Sequence, residues 1–274
     1  MRKLIQALIV GLLVGLSQAV SAETYEEGLA AYGRGDYAGA LRILRPLATG
    51  GDAYAQALLG RMFQLGLGTA TDYREATRWL RLAADNGLSI AQFNLGEAYY
   101  YGLGVVQNHR EAMTWYLAAA KNFAMPEAAY RLGEMYRFGR GIPPDDDEAR
   151  RWWQVAAERG YVDAQRAMGQ IYRDGQSVTK DLVVAHMWFN LVAASSDGWS
   201  NWGAKNRGLL EAQMTPDEIR RAQSMALACE KHIADPFLRL LVPLEEEADP
   251  DYRQPCTNSW RRELPVLFEL GLNR

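Results

Sequence analysis

Residue types able to do bond-making chemistry are sparse in this chain. Its three histidines, His109, His186 and His232, are far apart, and no H-E-x-x-H, paired-cysteine motif or acidic calcium loop accompanies them, so the expectation is no metal and no cofactor. The run Asp145-Asp146-Asp147-Glu148 offers four carboxylates. Acids opening a helix are explained more simply as partners of its macrodipole.

Ser177-Val178-Thr179-Lys180 matches the S-x-x-K pattern of serine β-lactamases and penicillin-binding proteins, in which the serine opens a helix and the lysine one turn on activates it. Here the tetrapeptide precedes Asp181, a good helix cap, and no S-D-N or K-T-G partner exists. There is also no G-x-S-x-G, P-loop or dinucleotide fingerprint. The chain reads as a non-enzyme. The chemistry left to it is recognition, which depends on where helices place aromatic and arginine side chains.

Those helices are legible because a pattern repeats. AQALLGRMFQLGLG from Ala55, AQFNLGEAYYYGLG from Ala91, AAYRLGEMYRFGRG from Ala128 and AQRAMGQIYRDGQS from Ala164 share register glycines Gly60, Gly96, Gly133 and Gly169, spaced by 36, 37 and 36 residues. Small and apolar residues in each copy recur at helical spacing, as with Ala91, Leu95, Ala98 and Tyr99. Each segment ends at a Gly-x-Gly, Gly66/Gly68, Gly102/Gly104 or Gly139/Gly141, suited to left-handed backbone that costs other residues about 1 to 2 kcal/mol. In the fourth copy Ser177 replaces the second glycine, so that loop is expected to be tighter or less regular.

Twelve residues past the register glycine stands Asp72, Asn108, Asp145 or Asp181, each an N-cap for a second helix. That helix carries Ala76, Ala112, Ala149 and Ala185, then Trp79, Trp115, Trp152 and Trp188, at constant offsets. Gly87 and Gly160 follow two of these helices as C-terminal caps. One unit is a helical hairpin, and a hairpin this small buries its apolar face only by stacking on its neighbours. A tryptophan in the same place in every unit fits inter-helix packing better than a ligand ladder.

These elements resemble the Sel1-like repeats, relatives of the tetratricopeptide repeats. The resemblance covers residues 55 to about 194 through the A-x-x-x-L-G, G-x-G, Asp/Asn cap, Ala, Trp and Ala-Ala positions. It implies an all-α fold, a right-handed α/α superhelical solenoid whose first helices line a concave surface, and a role as adaptor or scaffold. The expected units are 55–90, 91–127, 128–163 and 164–198. Residues 23–54 read as a tetratricopeptide-like capping hairpin, with Gly35-Asp36-Tyr37 at its turn. Phe123-Ala124-Met125-Pro126 replaces the usual glycine ending of the second unit, so an altered connection is expected there.

Beyond the array, Ala194 to Asn206 reads as a loop with short helical pieces, and Thr215-Pro216 with Glu218 opens a helix to about His232. Residues 199–234 thus resemble the extra helices that close Sel1 arrays, and residues 235–274 form a tail outside any repeat. Cys229 and Cys256 are compatible with one disulfide in an exported protein, or with two unrelated buried thiols.

Residues 1–22 read as a cleaved secretory signal: Arg2 and Lys3, an apolar run too short to span a bilayer, then Val20-Ser21-Ala22. The expected compartment is the bacterial periplasm, with no stable membrane span after cleavage. Thirty Lys and Arg against 33 Asp and Glu argue against nucleic acid as partner.

If the core side of each first helix centres on offsets −5, −1 and +3 from the register glycine, the opposite side takes −3, +1 and +4. That side carries Arg61, Phe93, Glu97, Tyr100, Tyr130, Glu134, Arg137, Arg166 and Arg173. Tyrosine and arginine are enriched at binding hot spots. The expected site is a groove for a protein or peptide, with aromatics as anchors and arginines meeting carboxylates. Packing of these rings on a neighbouring unit or under the tail is one alternative; stacking on a cell-wall or exopolysaccharide sugar is another.

Overall fold

A computed structural model describes residues 24–121 and 125–234, and among these the structure is helical throughout, with no strand. The chain divides into two compact units between Val106 and Gln107. Residues 1–22, expected to be a signal sequence, together with Phe123, Ala124, Cys256 and the 235–274 tail lie outside the described residues.

Unit 1 contains α1 (Tyr25–Gly33), α2 (Tyr37–Thr49), α3 (Ala53–Leu65), α4 (Tyr73–Asp85) and α5 (Ser89–Tyr101). Its core joins Ala40 and Leu44 of α2 to Leu59, Met62 and Phe63 of α3 and Trp79 of α4. Burying each of the larger side chains contributes about 1.5 to 3 kcal/mol. Unit 2 contains α6 (His109–Ala120), α7 (Pro126–Phe138), α8 (Asp146–Ala157), α9 (Val162–Asp174), α10 (Leu182–Ala194), α11 (Ser200–Glu211) and α12 (Pro216–Ala234). Helix α10 is apolar nearly all round because it packs on α9, α11 and α12 together, and Met187, Trp188, Phe189 and Val192 are almost wholly buried.

Side-chain caps start the second helices. Asp72 accepts from the amides of Arg74 at 2.9 Å and Glu75 at 3.0 Å. Asn108 and Asp181 likewise each accept two amides at the start of α6 and α10, and Asp145 accepts the Glu148 amide at the start of α8. Each cap satisfies donors that the first turn leaves orphaned.

Three contacts recur from hairpin to hairpin. Within a hairpin, the register glycine is overlain by the residue twenty positions on. A methyl group at Gly60, Gly133 or Gly169 would press on Leu80 at 2.8 Å, Trp153 at 2.4 Å or Phe189 at 2.3 Å. Between hairpins, the second glycine of each loop lies on the residue that opens the preceding second helix: Gly68 on Tyr37, Gly104 on Tyr73 and Gly141 on His109. A glutamine four residues before the register glycine then reaches back to a carbonyl near the end of the preceding helix. Gln56 donates to Ala48 at 3.0 Å, and Gln92 to Ala84 and Gln165 to Ala157 at 3.2 Å.

The third unit carries Ala129 at that glutamine position and lacks the bond. Its connection is altered as well. After α6 the C-cap Lys121 takes ψ 137° instead of a glycine turn, and α7 opens on Pro126.

Two expectations are corrected. Ser177 takes the glycine backbone, φ 56°, and Asp181 N–H bonds to Tyr172 O at 2.9 Å, as Asp145 N–H does to Tyr136 O. The fourth loop is therefore regular. Residues 200–211 form one continuous helix, α11, where the sequence suggested fragments. Gly203 packs against Val192 and Ala193, so α11 docks on α10 as a further first helix would, and that packing outweighs its loop-like composition.

Helix α12 starts with the expected capping box. Thr215 N–H donates to Glu218 Oε2 at 2.7 Å, and Glu218 N–H donates to Thr215 Oγ1 at 3.3 Å. Cys229 of α12 is buried and disulfide-bonded.

Candidate protein-interaction face

In unit 1 the expected row is broken. Arg61 is exposed and Phe93 and Glu97 are half-buried, but Tyr100 is 8% exposed and belongs to the core. Its ring meets Tyr101 edge-on, centroids 4.8 Å apart, and Tyr101 takes the exposed position instead. The offset template places +4 on the solvent side of a bare helix. Tyr100 is buried all the same, so it is no exposed anchor.

In unit 2 the first helices α7 and α9, followed by α11, bring the remaining residues together. Glu127, Tyr130, Arg131 and Glu134 lie at i, i+3, i+4 and i+7 on α7 and share one face. The Tyr130 ring meets that of Tyr161, at the N-cap of α9, at a 49° tilt with centroids 5.1 Å apart, and stands 6.4 Å from Trp153 of α8. Arg131 pairs with Glu134 at 2.8 Å. Among the described residues, Glu127 has no ion-pair partner.

The arginines behave differently from the expectation that they await a partner's carboxylates. Arg137 bonds Asp146 at 2.5 Å, Arg166 bonds Asp163 at 3.1 Å, and Arg173 bonds Asp174 at 2.7 Å and Asn206 at 3.3 Å. Arg166 also lies over Trp199, 4.5 Å from its ring centre, and 6.0 Å from that of Trp202. Trp202 in turn packs edge-on against the buried Phe189. An acid within each arginine's own neighbourhood neutralises the row. Such partly exposed pairs contribute at most about 1 kcal/mol each, so an incoming group can rearrange them at little cost.

The field around the tyrosines is set by burial and carboxylates. Burial raises the Tyr130 phenol well above its usual range, Glu134 and Asp163 raise it further, and Arg166 opposes them. Tyr161 is raised for the same first reason, with Asp163, Glu127 and Glu134 adding to the effect and Arg131 opposing it. The two hydroxyls thus sit in a negative local potential.

Tyr161, Asp163, Trp199, Trp202 and Glu127 complete this face and were missed by the offset template. Tyr161 and Asp163 sit at the entry to α9, and the tryptophans belong to a helix read as loop. The one available signal was composition, since Trp199 and Trp202 are an unusual pair for a polar linker.

The remaining candidates for chemistry are dispersed. His186 is fully buried, with Nε2 3.0 Å from Glu211 Oε1, and ties α10 to α11 alongside the Arg207–Asn190 bond of 2.7 Å. Ser177 sits in a turn, its Oγ 3.5 Å from Asp146, so the Ser-Val-Thr-Lys tetrapeptide lacks the helical setting that S-x-x-K chemistry requires. Among the described residues, no three His, Cys, Asp or Glu stand close enough to hold a metal ion.

Known proteins share this architecture. The Sel1 repeat family model matches residues 53–88, 89–122, 126–161 and 162–197, and so accounts for more than half of the chain. The crystal structure of a Sel1 repeat protein from Oxalobacter formigenes is similar at 27% identity and a TM-score of 0.61, over 75% of this chain and 99% of that one. The uropathogenic Escherichia coli protective antigen c5321, described as displaying an SLR fold, matches at 23% identity and a TM-score of 0.46, over 85% of this chain and 60% of that one. No curated protein matches the chain. With its hairpins, loop glycines and capped second helices in the same places in each unit, the chain belongs to the Sel1 repeat family.

Proposed function

We propose that this chain is an exported, non-catalytic scaffold that captures a protein or peptide partner on the α7/α9/α11 face of unit 2. The observation that carries this reading is the contrast between two sets of residues. Those that build the hairpins recur along the array, whereas Tyr130, Tyr161 and Arg166 change from repeat to repeat and, with Trp199 and Trp202 from beyond the array, converge on one half-exposed face. Aromatics and arginine so placed are the residue types that dominate interface energetics. The general role of Sel1 repeats as interaction modules supports the same reading.

Export to the periplasm rests on Arg2, Lys3, the apolar run and Val20-Ser21-Ala22. Mass measurement of the secreted chain is expected to give an N-terminus at Glu23; retention of residues 1–22 would refute export by this route. Replacement of Trp199 and Arg166 by Ala is expected to lower partner capture at least about tenfold with little change in melting temperature. Undiminished protein capture, or a glycan array giving the stronger signal, would overturn the partner-face reading.

A further inference from the structure

The Tyr130–Tyr161 pair stands among three carboxylates and two guanidinium groups, and each guanidinium group is paired with one of the acids. Arg131 is bound to Glu134, and Arg166 is held between Asp163 and Trp199. Glu127 remains without an ion-pair partner among the described residues and acts on Tyr161 through its charge. Both rings are half-buried, and Glu134 and Asp163 keep 23% and 33% of their side-chain surface exposed. An aromatic pair backed by an excess carboxylate attracts a cation through the ring quadrupole and through direct charge, and it repels an acidic group.

On this geometry we propose that the Tyr130–Tyr161 subsite, bounded by Glu127, Glu134 and Asp163, takes a lysine or arginine side chain of the bound partner. The inference rests on unit 2 being the partner face and reverses the polarity first expected from the arginine row. The cation of the partner lies against the tyrosines, and the arginines of this chain stay with their own acids. The apolar stem of a lysine or arginine has Trp153, 6.4 Å from Tyr130, to continue along.

The probes are Nα-acetyl-arginine amide and Nα-acetyl-lysine amide, added to the full chain carrying ring-labelled tyrosine, with Nα-acetyl-norleucine amide and choline as comparisons. Tyr130→Phe and Tyr161→Phe assign the two ring signals. The expected result is a saturable shift of both signals with the arginine and lysine amides, weakened about three- to tenfold in Glu127→Gln. Norleucine amide is expected to shift them far less. The isosteric Glu127→Gln change removes no ion pair seen in the structure, and an unchanged melting temperature confirms that its effect is on binding.

Absence of a saturable shift, equal shifts with norleucine amide, or tighter binding of choline than of either basic amide would overturn the proposal. Loss of the cation effect while partner capture still depends on Trp199 and Arg166 would reject the basic anchor and leave the partner face standing. Loss of both would reject the face itself.

Discussion

The α-carbon of Gly104 lies against the carbonyl of Tyr73, so closely that a methyl group on Gly104 would stand 2.0 Å from that oxygen. Gly104 closes one hairpin loop and Tyr73 opens the second helix of the hairpin before it. Two demands therefore fall on one residue: a left-handed φ of 73° and room for a neighbouring backbone. Gly104→Ala is expected to destabilise unit 1 by about 3 kcal/mol, from the left-handed penalty and overpacking together. Denaturant unfolding measures this.

Ser177 stands in the corresponding loop of the last unit, facing Asp146 where a glycine would face the opening residue of the earlier helix. It bears the left-handed conformation at φ 56° and offers only a long 3.5 Å hydroxyl contact in return. Ser177→Gly is expected to raise stability by about 1 kcal/mol, since relief of the left-handed strain exceeds the added flexibility of the unfolded chain. A lower melting temperature would show that the Asp146 contact matters more than the strain.

The buried amide of Gln165 holds the carbonyl of Ala157 at the joint between α8 and α9. Gln165→Leu keeps the bulk and removes that side-chain bond while the carbonyl keeps the Gly160 N–H at 3.0 Å, at an expected cost of about 0.5 to 1.5 kcal/mol. Hydrogen exchange should then report faster opening at the end of α8 and the start of α9. Uniform exchange throughout unit 2 would argue against a local joint.

Two groups give the stability a defined pH dependence. The Glu218 carboxylate, bound by the Thr215 amide and hydroxyl, titrates below its usual value. Its contribution to α12 is complete above the unfolded-state value and is lost as the pH falls through the folded one. Glu218→Gln is expected to flatten this acid limb in melting curves. Tyr130 is shifted in the opposite sense. Its folded phenol titrates above the ordinary value of 10.0, so its contribution is complete below that pH and disappears as the pH rises through the folded value. Tyrosine absorbance should show late ionisation of Tyr130 in the folded chain, occurring earlier in Glu134→Gln.

The hairpins were legible because their causes are local. Glycine at a left-handed turn, Asp or Asn at a helix start and Ala where helices cross are each dictated within a few residues. Their recurrence every 36 or 37 residues multiplies the signal. Two departures had a tertiary origin: α11 is stabilised by docking on α10 in spite of a turn-rich composition, and Tyr100 is buried although the offset template puts it on the solvent side.

The site was legible only in part. Helical periodicity places Tyr130, Glu134, Arg137, Arg166 and Arg173 in the candidate row, but it does not give the residues they contact. Asp146, Asp163, Asp174, Tyr161 and Trp199 come from caps, helix ends and the following helix, positions that a one-helix template does not relate to the row. Pairing of each unit 2 arginine with an acid beside it is what the row alone does not reveal.

The central claim, that unit 2 holds its partner on the α7/α9/α11 face, is tested most directly by site-specific photocrosslinking in intact cells. A photoreactive phenylalanine analogue is placed at Tyr161 on that face or, in a separate chain, at the exposed Leu227 of α12. One discrete protein adduct is expected from position 161, lost when Trp199 and Arg166 are replaced by Ala, and none of that mass from position 227. An adduct that forms equally at both positions, or that survives the double replacement, would contradict it.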